Sequence, residues 1–295
     1  MQRLFQKKLT TVSISVWRSS LLALALTLGH MGAANGVPVT VPATTSLNAD
    51  GTTYGPSVGD LSADSDRSST NSERVTSNNA SLGDQIAGIG NVHVSGNVSS
   101  TNPIECDNVG SYAEVMFAFS VNPRSGVNPP VLLTTFPVIF AARGEVSVSS
   151  NGNAGSGGAS AAAGIRYANT GTPLFTLTAQ FGTNDAFDEV KTVWLSDNLY
   201  EAFVTVSGQA SASLDQTHDP ATAGWASYDA TADPTIRLDQ AAFDAEYGPN
   251  AFLLSDYYTM DFSPNIPIPE PSTFCLLGTG CLGLLGRLRR RPVTA

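Results

Sequence analysis

Every second residue from Tyr200 to Leu214 is apolar or small: Tyr200, Ala202, Val204, Val206, Gly208, Ala210, Ala212 and Leu214. Between them stand Glu201, Thr205, Ser207, Gln209, Ser211 and Ser213, with Phe203 as the exception. A period of two places alternate side chains on opposite faces of an extended chain, so this stretch predicts a long half-buried strand. The same alternation runs through Ala226, Tyr228, Ala230, Ala232, Pro234 and Ile236, through Val115, Phe117, Phe119 and Val121, and through Phe175, Leu177, Ala179 and Phe181. Tyr258, Met260 and Phe262 predict a last short strand, and Val92–Val98, Val131–Ala142 and Glu145–Ser149 supply three more, separated by Asn, Pro and Gly turn formers. Only Gln240–Tyr247 carries a helical pattern. Many strands with one polar face predict an all-β fold, an antiparallel two-sheet sandwich of jelly-roll-like type.

The pattern changes at both ends. Arg3, Lys7, Lys8 and Arg18 precede the apolar run Leu21–Leu28 and the small residues Gly32, Ala33 and Ala34. That order is the order of a secretory signal peptide, and residues 1–34 are expected to be one, cleaved after Ala34. The run is too short for the ~20 apolar residues that span a bilayer. Residues 35–85 are rich in Ser, Thr, Asn, Asp and Gly with few large apolar side chains. They predict a flexible or loosely packed segment ahead of a β-sandwich domain over 86–264.

A third pattern occupies 265–295: Pro269-Glu270-Pro271, an apolar run from Phe274 to Gly286, and the basic cluster Arg287, Arg289, Arg290 and Arg291. A helix over 274–288 would be about 22 Å long at ~1.5 Å per residue, short of a ~30 Å hydrocarbon core. Snorkelling arginines or local thinning would let it insert, with the basic end held in the cytoplasm. Gly278, Gly280, Gly283 and Gly286 make an independent water-exposed helix unfavourable, since each glycine costs about 1 kcal/mol there.

This tripartite tail resembles the PEP-CTERM sorting signal of Gram-negative bacteria. The resemblance covers about 27 residues, with motif, apolar helix and arginines agreeing in order and spacing. It implies that Pro269, Glu270 and Pro271 are the element recognised by exosortase, an integral-membrane cysteine peptidase, and that the tail is removed near them. The implied partners are exosortase and the export machinery, with the membrane engaged through the helix before processing. The implied destination is the cell surface or an extracellular polysaccharide matrix, which leaves the body's activity open.

Charge sharpens this picture. Eight of the 15 basic residues lie in residues 1–34 and 271–295, which hold no Asp or Glu. The stretch between them therefore carries 25 acidic against 7 basic residues, a net of −18. Such a body repels phosphate backbones and lacks a basic stripe, so nucleic acid is not an expected partner.

Candidate chemistry in the body is sparse. Cys106 is its one cysteine, because Cys275 and Cys281 belong to the tail, and His93 and His218 are its only histidines. No cysteine-peptidase context, HExxH or GxSxG accompanies them, so Cys106 is read as a buried or partly oxidised bystander. Asn153–Gly164 lacks the ending of a phosphate-binding loop and is read as a flexible loop entering a small-residue strand. Two acidic groups could supply oxygens to calcium: Asp60, Asp64 and Asp66, and more plausibly Asn184, Asp185, Asp188 and Glu189 in a turn between strands. Solvated loop charge is the plainer reading of both, and no other cofactor is expected. Trp194 and Trp225 are candidates for a sugar-stacking platform, against ordinary core or surface aromatics.

The expected function is that of an exported, surface-sorted, noncatalytic sandwich acting in the envelope or matrix, with polysaccharide as a candidate ligand. A secreted hydrolase of glycans or esters is the alternative, and it would need converging carboxylates or a Ser-His-acid set. Sorting is testable first. Replacing Glu270 and the four tail arginines in a host containing exosortase is expected to leave the protein unprocessed and mislocalised, read by cell fractionation and mass; unchanged mass and location would refute the tail's role.

Overall fold

The computed structural model describes residues 36–69, 71–82, 90–101, 106–131, 133–151, 154–179, 184–213, 223–249 and 252–266. Both predicted terminal signals, including Pro269, Glu270, Pro271 and the arginine cluster, lie outside these residues, as does His218.

The described residues form thirteen strands in two antiparallel sheets, the predicted sandwich. The strands are β1 (Thr44–Ala49), β2 (Thr52–Ser57), β3 (Leu61–Ser68), β4 (Ser72–Ser81), β5 (Asn91–Ser100), β6 (Asp107–Pro123) and β7 (Thr135–Ser150). They continue with β8 (Gly155–Tyr167), β9 (Pro173–Ala179), β10 (Asp185–Ser196), β11 (Tyr200–Ala212), β12 (Gly224–Leu238) and β13 (Tyr258–Phe262). The seven-stranded sheet runs β2-β1-β6-β11-β8-β9, and the six-stranded sheet runs β10-β7-β12-β5-β4-β3. β13 pairs with β6 along Phe119–Pro123, on the flank that β1 occupies along Ser111–Met116. After β5 the chain repeatedly crosses between the sheets, so most strands that touch are distant in sequence.

Alternation explains the layers. The inward residues of β11 and β12, from Ala202 to Ala212 and from Ala226 to Ile236, are buried, while the residues between them reach solvent. One end of the core is aromatic: Phe119 packs on Tyr200 and Phe262, Phe136 on Tyr258, and Phe140 on Phe175. Toward the other end the inward residues shrink to Ala210, Ala212, Ala226 and Val98, so the sheets need another device to fill the gap.

That device is an aromatic ring laid over a glycine. Tyr228 stands directly opposite Gly96 in the β12–β5 ladder, and its ring also faces Gly208 of the other sheet. A Cβ on Gly208 would lie 2.0 Å from the ring, and one on Gly96 2.4 Å. The Tyr228 hydroxyl donates to Ser111 Oγ at 2.7 Å, joining β12 to β6. Phe187 likewise covers its cross-strand partner Gly144, and Phe203 covers Gly164. The last contact accounts for Phe203, the residue that broke the alternation: it belongs to the outer face, with the Arg166 guanidinium 5.6 Å from its ring centre.

Three expectations are corrected. The polar segment 35–85 is not loosely packed, for it contributes β1–β4 to both sheets. Its large apolar residues are few because alternate positions are filled by Ala43, Thr45, Leu47 and Ala49 and by Thr76, Asn78 and Ala80, all buried. Val131–Ala142 and Glu145–Ser149 are not two strands, since β7 continues through Gly144 with Phe187 over the glycine. The glycine-rich 153–164 segment is strand from Gly155 onward, pairing along its whole length with β11. The predicted helix forms as α1 (Gln240–Tyr247), capped by Asp239, whose carboxylate accepts from Ala242 N and from Thr192 Oγ1.

Gly208→Ala is expected to cost about 3 kcal/mol through overpacking against Tyr228, and Tyr228→Phe about 1 kcal/mol through the lost hydroxyl contact, both read by urea denaturation. Burial pushes the Tyr228 phenol up to about 12, with the Ser111 contact opposing the rise and the Asp50 carboxylate adding to it. An acid whose folded pKa is raised stabilises fully below its unfolded value near ~10 and loses that contribution as pH rises through the folded one. Tyr228→Phe should therefore flatten part of the alkaline loss of stability between those two values.

Candidate functional site

The point where the sorting segment leaves the body is built by three residues. Ser263 N donates to Ala118 O while Ala118 N donates to Ser263 Oγ, clamping the chain just past β13. Asn265 accepts from Ala43 N at 2.7 Å and donates to Ala43 O and Val58 O. Ile266 is buried. Pro269 follows three residues later, so the motif lies at most about 11 Å along the chain from a fixed anchor. The segment following the expected signal peptide docks nearby: Val37 O accepts from Ser120 Oγ and Asn122 Nδ2, and Asn122 Nδ2 also donates to Asp261 of β13. The described chain thus begins and ends beside the same, aromatic end of the body.

The opposite end holds a groove of about 750 Å³. It opens where the β1–β2 turn stops short of β6 and is lined by Asp50, Asn108, Gln209, Ser156 and Ser211, with glycines at 51, 110 and 157. The turn Asp50-Gly51 has both residues at positive φ, 46° and 85°, the geometry that Asp-Gly favours in a two-residue hairpin. Asn48 Oδ1 accepts from Gly51 N, and Asp50 N donates to Gly110 O, which fixes the turn against β6. Along β6, Gly110 and Ala118 are eight residues apart, so groove and tail exit are separated by roughly 26 Å. Amides, hydroxyls and one carboxylate lining an open groove are the donor and acceptor types that sugar hydroxyls pair with.

The residues singled out by sequence are dispersed. Trp194 pairs with Pro137 of β7, and Ala226, the neighbour of Trp225, with Ser150 of the same strand. Thirteen residues of strand part them, roughly 43 Å, so the half-exposed Trp194 and Trp225 form no common platform. The expected calcium turn is instead the start of β10, where alternation sends Asp185 and Glu189 to one face and Asp188 to the other. Asn184 Oδ1 accepts from Val148 N, and Glu189 pairs with Lys191 at 2.9 Å. Asp64 and Asp66 lie along β3, while Asp60 accepts from Leu82 N. Among the described residues no group of three or more His, Cys, Asp or Glu is placed to hold a metal ion. Cys106 is exposed rather than buried, and His93 Nε2 lies 3.0 Å from Asp229 on the outer face of the six-stranded sheet.

Sequence reasoning missed the groove, although Asp50-Gly51 is a strong hairpin signal that could have pointed to it. It also missed Asp233, whose carboxyl is raised by burial on β12.

Residues 267–291 match the family described as the PEP-CTERM protein-sorting motif, so the chain carries that sorting motif at these residues. No curated protein matches the chain. Among solved structures it is similar to a chain of the infectious bursal disease virus Gt strain at 12% identity, covering 85% of this chain and 69% of that one with a TM-score of 0.18. A chain of the Gx strain of that virus is similar at 10% identity, covering 86% and 71%, with a TM-score of 0.15. At those scores neither likeness bears on fold or function.

With Asn184 and Glu189 engaged by other partners and Asp188 on the face opposite Asp185, millimolar calcium and chelator are expected to give the same melting temperature; a calcium-dependent rise abolished by Asp185→Ala with Asp188→Ala would restore the cation site.

Proposed function

We propose that this exported, surface-sorted protein works without catalysis, its sandwich contacting polysaccharide of the envelope or extracellular matrix through the groove at the far end from the sorting tail. The sorting motif supports export and a surface or extracellular destination. The single observation that carries the contact role is the groove itself. Asn108, Gln209, Ser156 and Ser211 offer both donors and acceptors on a rigid sheet face, where the side chains stand ready without a loop having to order. Ser156 and Ser211 share a hydrogen bond across β8 and β11, and Ser160 and Ser207 repeat it four residues along, which extends the hydroxyl surface beyond the groove.

Its position suits the role. Roughly 26 Å of β6 stands between the groove and the segment that carries the sorting signal, so engagement of the tail leaves the groove open. The surface or extracellular destination that the sorting motif supports is compatible with contact to polysaccharide.

A glycan array probed with the processed protein, paired with a broad hydrolase assay on the same glycans, tests the reading. Binding that Gln209→Ala with Asn108→Ala lowers about tenfold, without release of product, is the expected result. Product release would favour the hydrolase; no binding to any glycan would refute the contact role.

A further inference from the structure

Two arginines stand directly opposite one another where the small-residue end of the core meets the groove. Arg67 of β3 and Arg74 of β4 are cross-strand partners, so their side chains leave the sheet on the same side. Like charges in that relation repel, and among the described residues the carboxylate that pairs with them is Asp50, whose Oδ2 lies 3.3 Å from Arg67 Nη1. Among the described residues, Arg74 has no carboxylate partner. Its Nη1 makes one long contact, 3.5 Å, to the backbone oxygen of Asn108, and its Nε is buried with no hydrogen-bond partner. Two residues along the same face of β4, Thr76 is 1% exposed and its Oγ1 is also buried without a partner.

Among the described residues, three of the five other cations of the body have a carboxylate partner. Arg166 pairs with Glu201, Lys191 with Glu189 and Arg143 with Glu145. In a segment with 25 acidic and 7 basic residues, a facing arginine pair with one carboxylate is a local excess of positive charge. Both arginines touch the groove lining, Arg67 through Asp50 and Arg74 through Asn108. A guanidinium presents planar paired donors that match a carboxylate, and a buried unpaired Nε is a donor awaiting an acceptor.

We infer that Arg74, backed by Arg67, forms an anion subsite of the groove that takes the carboxylate of a sugar acid, so the polysaccharide recognised is an acidic, uronate-bearing one. The inference rests on the polysaccharide-contact reading. Sugar hydroxyls meet Asn108, Gln209 and the serines, and the carboxylate meets the guanidinium at the rim. The acidic body repels an anion at long range, so the contact is short-range and depends on the fork geometry of arginine rather than on the field of the protein.

The test is calorimetric titration of the processed protein with trigalacturonate, with uncharged maltotriose and with sodium sulfate, near physiological salt. Trigalacturonate is expected to bind and the other two to bind at least about tenfold more weakly. Arg74→Gln should lower trigalacturonate affinity about tenfold or more, and Arg74→Lys should lower it less, since the charge stays and the fork is lost. Arg237→Gln, on the outer face of the same six-stranded sheet, should leave it unchanged. Because Arg74→Gln relieves a like-charge pair, its melting temperature should not fall, which separates lost binding from lost fold. Sulfate binding as tightly as trigalacturonate would reduce the site to a bare anion pocket and overturn the sugar-acid assignment. Equal binding of maltotriose, or an Arg74→Gln variant that binds as the parent does, would overturn the inference while leaving the polysaccharide reading intact; failure of every sugar to bind would remove both.

Discussion

Closing the sandwich depends on Tyr228. Between the aromatic end, where phenylalanines fill the space, and the groove end, where alanines leave it thin, one ring bridges the sheets. It lies over Gly96 on its own sheet and Gly208 on the facing one, and its hydroxyl reaches Ser111. A one-residue slip in any of these strands would replace a glycine beneath the ring by a side chain and turn the apolar face outward. The same contact therefore fixes inter-sheet spacing and strand register. Phe187 over Gly144 and Phe203 over Gly164 repeat the arrangement in other ladders, so glycines that weaken a strand by propensity act here as sockets.

With the register fixed, the sandwich acquires two unlike ends. At the aromatic end, Asn265 binds the departing chain to Ala43 at the start of β1, Ser263 binds it to Ala118 in the second half of β6, and Val37 is bound beside them. The described chain is thus hydrogen-bonded to the body as far as Ile266. At the thin end, β1 and β2 turn back before β6 finishes, and the uncovered end of β6 with β11 and β8 becomes the groove. Sorting and ligand contact occupy opposite poles because β6 spans the length between them.

The sheet edges carry their own protection. β10 is an edge strand twelve residues long, and Glu189 and Lys191 sit at its core-side positions, where burying them against another strand would be costly. β3, the other edge of that sheet, carries Asp64, Asp66 and Arg67, and β2 carries Pro56. The acidic residues that composition alone offered as calcium ligands serve at these positions as charge along exposed edges.

What could be read from the sequence was whatever repeats locally. The two-residue period of Tyr200–Ala212 and Gly224–Leu238 requires extended chain with one buried face, and the order of motif, apolar run and arginines marks the sorting tail without any fold. Local pattern failed where burial uses small or polar residues: Thr45, Thr76 and Asn78 read as solvent-facing, yet pairing with distant strands buries them. Spacing along the chain also misled at Asn184–Glu189, because strand alternation divides neighbours between two faces, and at Trp194 and Trp225, because the ladder sets them at opposite ends of β7. The groove, the facing Arg67 and Arg74 and the Tyr228 key join residues up to 178 positions apart in number, from Asp50 to Tyr228. Periodicity specifies a face, but which faces meet is decided by long-range pairing, and only the folded chain contains it.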